Sequence, residues 1–216
     1  ITIGNHDIFY KETISVNSPK LLLSDYSNIK VSEKFEDFGT HAICPWICEE
    51  NQLELMESIK NCKAPVLLGH FEIAGIEAER GMVMDHGMDA KLFSKFQTVG
   101  SGHYHHRSLT DNVLYFGTQY QMTWADVETI KGFHVFDTKS LEFEFVPSAL
   151  QMFHKIYYTD DLSLNGLPNF KDQCVKIIVP AKRDNFKKDR IVDAINAMSP
   201  LEVHVVDEGL MFSESD

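Results

Sequence analysis

Ala64-Pro65-Val66-Leu67-Leu68-Gly69-His70 is the stretch of sequence from which the class of fold can be argued. It is a compact apolar run between a proline and a glycine, and its length suits a strand that is buried on both faces. Gly69 then releases the backbone into a loop that carries a histidine. A second run, Thr98-Val99-Gly100-Ser101, ends in the same way at Gly102-His103. Two such strands predict a sheet with histidines gathered at one edge.

Helical patterns alternate with these strands. Residues 49–62 place Leu53, Met56 and Ile59 at helical spacing, and Asp89 can cap a helix that continues through Phe96. Further short strands are predicted at residues 28–31, 40–43, 113–116 and 132–136, and residues 141–146 alternate like a strand. This alternation indicates an α/β layered domain.

The pattern restarts after Pro147. A strand is predicted over residues 175–179, a helix over 188–198 and a strand over 201–206. We therefore expect one domain over residues 1–150 and a small βαβ-like unit over 151–216.

Composition limits the function classes. The chain has 216 residues, 44% of them hydrophobic, and a formal net charge of −12, which argues against a generally basic nucleic-acid binder. A local basic cluster is a candidate DNA-binding surface, and a solvated loop and helix start is the equally good alternative. Its members are Lys182, Arg183, Lys187, Lys188 and Arg190.

The cysteines and the apolar runs bear on the cellular setting. Cys44, Cys48, Cys62 and Cys174 form no CxxC pair, so reduced structural thiols are expected, with a zinc interpretation of the Cys44 and Cys48 spacing as the weaker alternative. No apolar run approaches the roughly 20 residues that span a bilayer. A cytoplasmic protein is therefore expected.

Three short histidine segments carry the chemistry: Gly4-Asn5-His6-Asp7, Gly69-His70 and Gly102-His103-Tyr104-His105. Imidazole nitrogens and an amide oxygen suit Mn²⁺, Fe²⁺ or Zn²⁺, and two such ions can clamp a phosphodiester. In an extended segment His103 and His105 would point to the same side. The pattern predicts metal-dependent phosphoester hydrolysis. A structural zinc or a hydrogen-bonded histidine cluster is the alternative.

His6 calls for a separate role, because Asn5 and His6 are too close in sequence to bind one ion together comfortably. An imidazole beside cations can bond the scissile phosphate or protonate the leaving oxygen. Asp7 is the candidate to orient His6, and capping of the loop is an equally good interpretation of Asp7.

The motifs Gly-Asn-His-Asp, Gly-His and Gly-His-x-His, in this order, resemble the last three signatures of the calcineurin-like metallophosphoesterases. More closely, the chain is similar to the SbcD nucleases, relatives of the meiotic-recombination-eleven (MRE eleven) DNA-repair nuclease. Three stretches resemble the subunit encoded by tailed phages. They are residues 45–51 (Pro-Trp-Ile-Cys-Glu-Glu-Asn), 69–75 (Gly-His-Phe-Glu-Ile-Ala-Gly) and 116–118 (Phe-Gly-Thr).

The resemblance implies roles for individual residues. Asn5, His70 and His103 would bind one Mn²⁺ and His105 the other, with Mg²⁺ as the candidate substitute. His6 would be the catalytic histidine.

The resemblance also implies a fold and partners. Residues 1–150 would be the C-terminal portion of a four-layer α/β sandwich, and 151–216 a small α+β cap that faces DNA. The activity would be exonuclease on double-stranded ends and endonuclease on single strands, with an SbcC-type SMC-like ABC ATPase as partner. A homodimer would form through the Pro19 to Tyr26 helix, although Leu21 to Leu23 would serve equally well as intramolecular core.

The family's two earlier signatures, Asp-x-His and Gly-Asp-x-x-Asp/His, do not occur here, and we expect them upstream of Ile1. They supply most ligands of the first metal, so this stretch alone is expected to be inactive. Two other functions stay open from sequence. One is a phosphodiesterase or phosphatase for non-DNA substrates, and the other is a non-catalytic DNA-end scaffold subunit.

Overall fold

The computed structural model describes residues 1–79 and 81–208, which divide into two compact units. The first unit comprises Ile1–Gln119 and Lys131–Pro147. The second comprises Tyr120–Ile130 together with the described residues from Ser148 onward. Within these described ranges, no helix is long and apolar enough to cross a membrane.

The first unit is a mixture of short helices and strands. Its helices and strands are α1 Ser18–Leu23, β1 Glu36–Asp37, β2 His41–Ile43, α2 Gln52–Asn61, β3 Val66–Gly69, β4 Glu77–Glu79, β5 Met82–Val83, a 3₁₀ turn Ala90–Phe93, β6 Thr98–Ser101, β7 Ser108–Thr110, β8 Val113–Tyr115, β9 Gly132–Phe136 and β10 Phe143–Pro147.

A six-stranded sheet organises this unit, in the order β1-β2-β3-β6-β8-β7. The inner strands β2, β3, β6 and β8 run parallel, whereas β1 and β7 pair antiparallel at the two edges. Val66, Leu67 and Val99 are completely buried. The structure thus confirms a mixed α/β unit with a parallel sheet, and the apolar runs are its central strands.

Helix α2 differs from its sequence prediction in the face that it buries. It begins at Gln52 and buries Leu55 and Ile59, whereas Leu53 is 89% exposed. Leu55 and Ile59 are four residues apart and lie one above the other on the same face of the helix. The predicted stripe through Leu53 was therefore wrong.

Helix α1 is shorter than the predicted Pro19 to Tyr26 helix. It comprises Ser18–Leu23, and Asn17 is its N-cap. The Oδ1 atom of Asn17 accepts a hydrogen bond from the backbone N–H of Lys20 at 2.9 Å. Leu21 and Leu22 are 70% and 73% exposed, which is against the alternative that these two leucines belong to the intramolecular core.

Two other predicted elements form less regular structure than expected, and the last two predicted strands are present. In place of a strand at residues 28–31, Thr2 forms an isolated bridge with Ser32. The helix expected after Asp89 is only a 3₁₀ turn, although Asp89 caps it as predicted. Strands β9 and β10 lie close to the predicted residues 132–136 and 141–146, and they pair antiparallel.

The second unit is built on a three-stranded parallel sheet. Its elements are a 3₁₀ turn Trp124–Asp126, β11 Phe153–Tyr157, a 3₁₀ turn Leu164–Gly166, β12 Cys174–Val179, α3 Asn185–Asn196 and β13 Glu202–Asp207.

The strand order is β11-β12-β13, and α3 connects the parallel strands β12 and β13 in a βαβ crossover. Ile191 and Ile195 of α3 belong to the same buried cluster as Val175 and Ile177 of β12. The residues from Tyr120 to Ile130 join this unit partly through Gln121, whose Oε1 atom accepts bonds from Met152 and Phe153 at 2.9 Å each. The sequence indicated the βαβ pattern but not this inserted segment.

All four cysteines are free, as expected. Cys44 and Cys48 are buried in the first unit, and burial raises the pKa of the Cys44 thiol. Cys44 packs in the main core cluster of this unit, whereas Cys48 packs in a separate cluster with Ile3 and Ile14, so both thiols have a packing role.

Candidate functional site

The carboxyl ends of the parallel strands bring the sequence-predicted histidines to one edge of the sheet. His70 directly follows β3, and His103 lies two residues beyond β6. Trp46 lies three residues beyond the neighbouring strand β2. In open α/β sheets this edge is where ligands bind.

The first residues of the chain lie against the same edge. The backbone N–H of Trp46 donates to the carbonyl of Ile3 at 2.9 Å, and the Thr2 hydroxyl donates to the carbonyl of Cys44 at 3.1 Å. These bonds place Asn5 beside the histidines. Its Oδ1 atom lies 2.9 Å from the Nε2 atom of His70.

Three rings pack together at this edge. The centroids of His70 and His103 are 5.2 Å apart in a T-shaped arrangement. The indole of Trp46 stacks on His103 at 5.5 Å and meets His70 edge-on at 5.8 Å. Trp46 therefore restrains both imidazoles at once.

Two glycines leave room for the His70 ring. A Cβ atom on Gly102 would lie 2.8 Å from His70 Nδ1, and one on Gly4 would lie 2.9 Å from the same nitrogen. Both distances are shorter than ordinary van der Waals contact. The glycines that mark the histidine motifs are thus needed because the backbone passes close to the ring.

Two buried hydroxyl groups form hydrogen bonds with the backbone of the loop after His70. Tyr115 donates from its hydroxyl to the carbonyl of Phe71 at 2.8 Å and accepts from the N–H of Ile73 at 3.2 Å. The Ser101 hydroxyl accepts from the N–H of Phe71 at 2.9 Å. Sequence reasoning did not single out these two residues, although both close a strand next to the histidine loops.

Burial keeps the two central imidazoles neutral. It lowers the pKa of His70 to about 4, and the neighbouring His103 adds to the shift. Burial also lowers the pKa of His103, while the carboxylate of Glu72 opposes that shift. Near neutral pH both rings are uncharged and retain a nitrogen lone pair for a ligand.

The segment around His103 is not extended, so that prediction was wrong. His103 has a φ of 92°, which is rare for a residue other than glycine. The next side chain, Tyr104, is buried against Tyr115 at a centroid distance of 4.6 Å, and His105 is exposed. Residues 103–105 therefore do not have the regular backbone of a strand, and Tyr104 packs into the core between the two histidines.

His6 and His105 lie at the margin of the ring cluster. The positive charge of His6 lowers the pKa of both His70 and His103, and that of His105 lowers the pKa of His103. Both side chains are exposed to solvent. They are therefore the exposed histidines closest in electrostatic effect to the half-buried pair His70 and His103.

Asp7 closes the turn that carries Asn5 and His6. Its Oδ2 atom accepts from the N–H of Gly4 at 2.8 Å, and its own N–H donates to the carbonyl of Gly4 at 3.1 Å. This is the loop-capping role that the sequence offered as the alternative to orienting His6.

As a metal site, the cluster is incomplete within the described residues. In residues 1–79 and 81–208, no three His, Cys, Asp or Glu side chains surround a common point closely enough to hold an ion. Asn5, His70 and His103 offer one amide oxygen and two neutral imidazoles. These donors fit Mn²⁺ or a similar ion in kind and form part of a coordination sphere.

The basic cluster of the second unit is partly engaged in local contacts. Arg183 forms an ion pair with Asp207, and Lys188 pairs with Asp189 at 2.9 Å. Lys182, Lys187 and Arg190 are exposed. These three side chains are the members of the cluster best placed to meet a phosphate.

A parallel sheet with histidine-bearing loops at its carboxyl edge is compatible with a phosphoesterase-like fold. The chain is 32% identical over 212 residues to Exonuclease subunit 1 of Enterobacteria phage T4, an alignment that covers 93% of this chain. The chain spans 61% of the length of that relative. No protein-family model matches the chain.

Proposed function

We propose that the chain is part of a DNA nuclease subunit that acts in recombination and double-strand-break repair, and that it has the calcineurin-like fold of the SbcD nucleases. The observation that carries the proposal is the convergence of Asn5, His70 and His103 at one sheet edge, in a chain similar to a phage exonuclease subunit. That relative's name indicates an exonuclease, and the choice of DNA as substrate rests on the resemblance to the SbcD nucleases.

The cofactor of this proposal is Mn²⁺, two ions for a full site. Asn5, His70 and His103 would hold one ion and His105 would contribute to the other. When bound, such ions supply charge neutralisation and polarisation of the phosphodiester. The neutral state of His70 and His103 is the contribution of this chain's own packing.

The other residues of the site have separate proposed roles. His6 is exposed beside the buried pair and is the group that would donate a proton to the departing sugar oxygen. Asp7 fixes the turn in which His6 lies, and Trp46 holds the two ligand rings in place.

The test is cleavage by the full-length subunit, together with its ATPase partner, on linear duplex and single-stranded DNA with Mn²⁺. His6→Ala is expected to keep Mn²⁺ binding and to lose cleavage by about 10²- to 10⁴-fold. His204→Ala, an exposed histidine in the second unit, is the matched control and should leave cleavage unchanged. Intact DNA after incubation with the wild-type complex would refute the nuclease function.

A non-catalytic DNA-end scaffold is the second candidate. The observation in its favour is that the described residues do not by themselves assemble three His, Cys, Asp or Glu ligands. Metal analysis of the full-length protein separates the two. Stoichiometric transition metal supports the nuclease, and its absence at saturating Mn²⁺ supports the scaffold.

Three partners belong to the proposal. DNA would contact the exposed basic residues Lys182, Lys187 and Arg190, and an SbcC-type SMC-like ABC ATPase would form the complex. A second copy of the chain would pack on Leu21 and Leu22, which α1 exposes to solvent. Burying such a pair of leucines on another copy would remove them from water.

A further inference from the structure

A cavity of about 440 Å³ lies immediately beside His70 in the first unit. Its volume falls within the roughly 300–1,000 Å³ range of small-molecule sites. None of the roles discussed above uses this space. We call it the Trp46 pocket, and its walls include Trp46, Met56, Phe71, Glu72, Met88 and His70.

The walls of the Trp46 pocket suit a flat aromatic ligand. The indole of Trp46 is half-buried and is held in orientation by its stacking on His103. Met56 and Met88 contribute polarizable thioethers, which adapt to aromatic surfaces. Rigid indole and adaptable sulfur together favour insertion of a planar ring.

The polar side chains of the pocket include two carboxylates and a neutral amide, which both donates and accepts hydrogen bonds. Glu49 and Gln52, at the start of α2 and just before it, line one side. Glu72 lines another, and its Oε1 atom lies 3.0 Å from the Nε2 atom of the exposed His86. Carboxylates repel a phosphate, so an anionic group is excluded from the pocket itself, whereas ring N–H and amino groups are accepted.

With the proposed Mn²⁺ held at Asn5, His70 and His103, the histidine end would take a phosphate that the carboxylates of the pocket repel. His70 is shared, because it lines the pocket and its Nε2 atom faces Asn5. A nucleotide has both parts that this arrangement would take, a phosphate for the histidine end and a neutral base for the pocket.

We propose that the Trp46 pocket receives one unpaired nucleobase of the DNA strand whose phosphate is held at the histidines. This proposal rests on the nuclease function. A base that enters the pocket must leave its duplex stack, so the pocket selects frayed ends and single strands. Stacking on Trp46 provides the attraction, and Glu49, Gln52 and Glu72 favour bases that carry amino groups.

The experiment measures cleavage by the full-length subunit in its complex with the ATPase, with Mn²⁺, on single-stranded oligonucleotides. One oligonucleotide carries a normal base at every position. Each of the others carries one stable abasic residue, placed at a different position near the cut. Loss of stacking on one aromatic residue predicts a drop of about 10-fold for the abasic position whose base enters the pocket. Equal cleavage at every abasic position overturns the pocket proposal while the nuclease function stands.

Two variants connect the effect to the pocket. Met56→Trp fills the cavity and should slow cleavage of normal DNA to the level of the abasic substrate, with no further loss on the abasic substrate. Leu53→Trp adds the same side chain to the exposed face of the same helix and should behave as wild type. Full activity of Met56→Trp on normal DNA would overturn the proposal.

Folding and function are kept separate by two further readouts. If the circular dichroism spectrum shows that Met56→Trp does not fold, Met88→Ala is used in its place, because a truncation adds no volume. Met88→Ala should reduce cleavage of normal DNA by a smaller factor and leave cleavage of abasic DNA unchanged. An equal reduction in cleavage of abasic DNA counts against the pocket. Failure of the wild-type complex to cut any DNA refutes the nuclease function, and the pocket proposal with it.

Discussion

The Nε2 atom of His70 lies 2.9 Å from the Oδ1 atom of Asn5, although 65 positions separate the two residues in the chain. The contact exists because β3 and the first residues of the chain both reach the carboxyl edge of the parallel sheet. It brings an amide oxygen and a neutral imidazole nitrogen to the same place.

Trp46→Ala should weaken Mn²⁺ binding by the full-length subunit by about 10- to 100-fold, as is typical when a group that orients ligands is removed. The reason is that the indole contacts both His70 and His103. Trp46→Phe keeps an aromatic face and should recover most of the affinity. Titration calorimetry with Mn²⁺ measures both, and an unchanged affinity in the alanine variant would remove Trp46 from this role.

Gly102→Ala should displace the His70 ring, because the new Cβ atom would lie 2.8 Å from His70 Nδ1. The expected result is a fall in Mn²⁺ affinity of about 10-fold or more with the fold retained. Gly166→Ala is the control, since a Cβ atom there meets open space. Equal affinities for the two variants would show that the ring tolerates the added methyl group.

Tyr115→Phe should lower the free energy of unfolding by about 1–3 kcal/mol. The substitution leaves the carbonyl of Phe71 and the N–H of Ile73 without the buried hydroxyl that bonds both. Urea unfolding followed by circular dichroism measures the change. Tyr26→Phe, at a residue that is 56% exposed, should have almost no effect, and a similar loss at both positions would contradict the argument.

His154 should make the second unit less stable in mild acid. Burial lowers the pKa of His154 below the value of about 6.5 that it has in the unfolded chain. The unfolded state therefore binds the proton more tightly, so stability is present above pH 6.5 and is lost as the pH falls below it.

Urea unfolding at pH 7.5 and pH 5.5, followed for the second unit, measures this dependence. His154→Phe preserves ring packing against Phe170, which lies 5.0 Å from His154 between centroids, and should show a weaker dependence on pH. The same pH dependence in both proteins would assign the effect to other groups.

We proposed a homodimer through α1, so replacing Leu21 and Leu22 together by glutamate should make the full-length subunit monomeric with unchanged secondary structure. Both leucines are largely exposed on α1, and charges there oppose burial against a second copy. Sedimentation analysis gives the mass. Leu53→Glu, on the exposed face of α2, is the control, and a variant that remains dimeric would place the contact elsewhere.

Much of the first unit's framework could be read from local patterns. The apolar run before His70 and the run before His103 are strands of a parallel sheet, and burial on both faces is what requires near-continuous apolar residues. The glycines at 69 and 102 marked where the strands end. Helix α2 was located but its buried face was assigned incorrectly, because Leu53 and Leu55 are both compatible with helical spacing and only packing selects between them.

The candidate site also combines features that local sequence indicates with features that only packing decides. Residue type and order in the sequence selected the candidates for metal binding and proton transfer: Asn5, His6, His70, His103 and His105. Only the tertiary structure decided that Trp46 stacks on His103, that Gly4 and Gly102 border the His70 ring, and that a cavity opens beside it. The physical reason is that chemistry belongs to single residues, whereas distance, burial and the resulting pKa depend on strands that meet only when the sheet has formed.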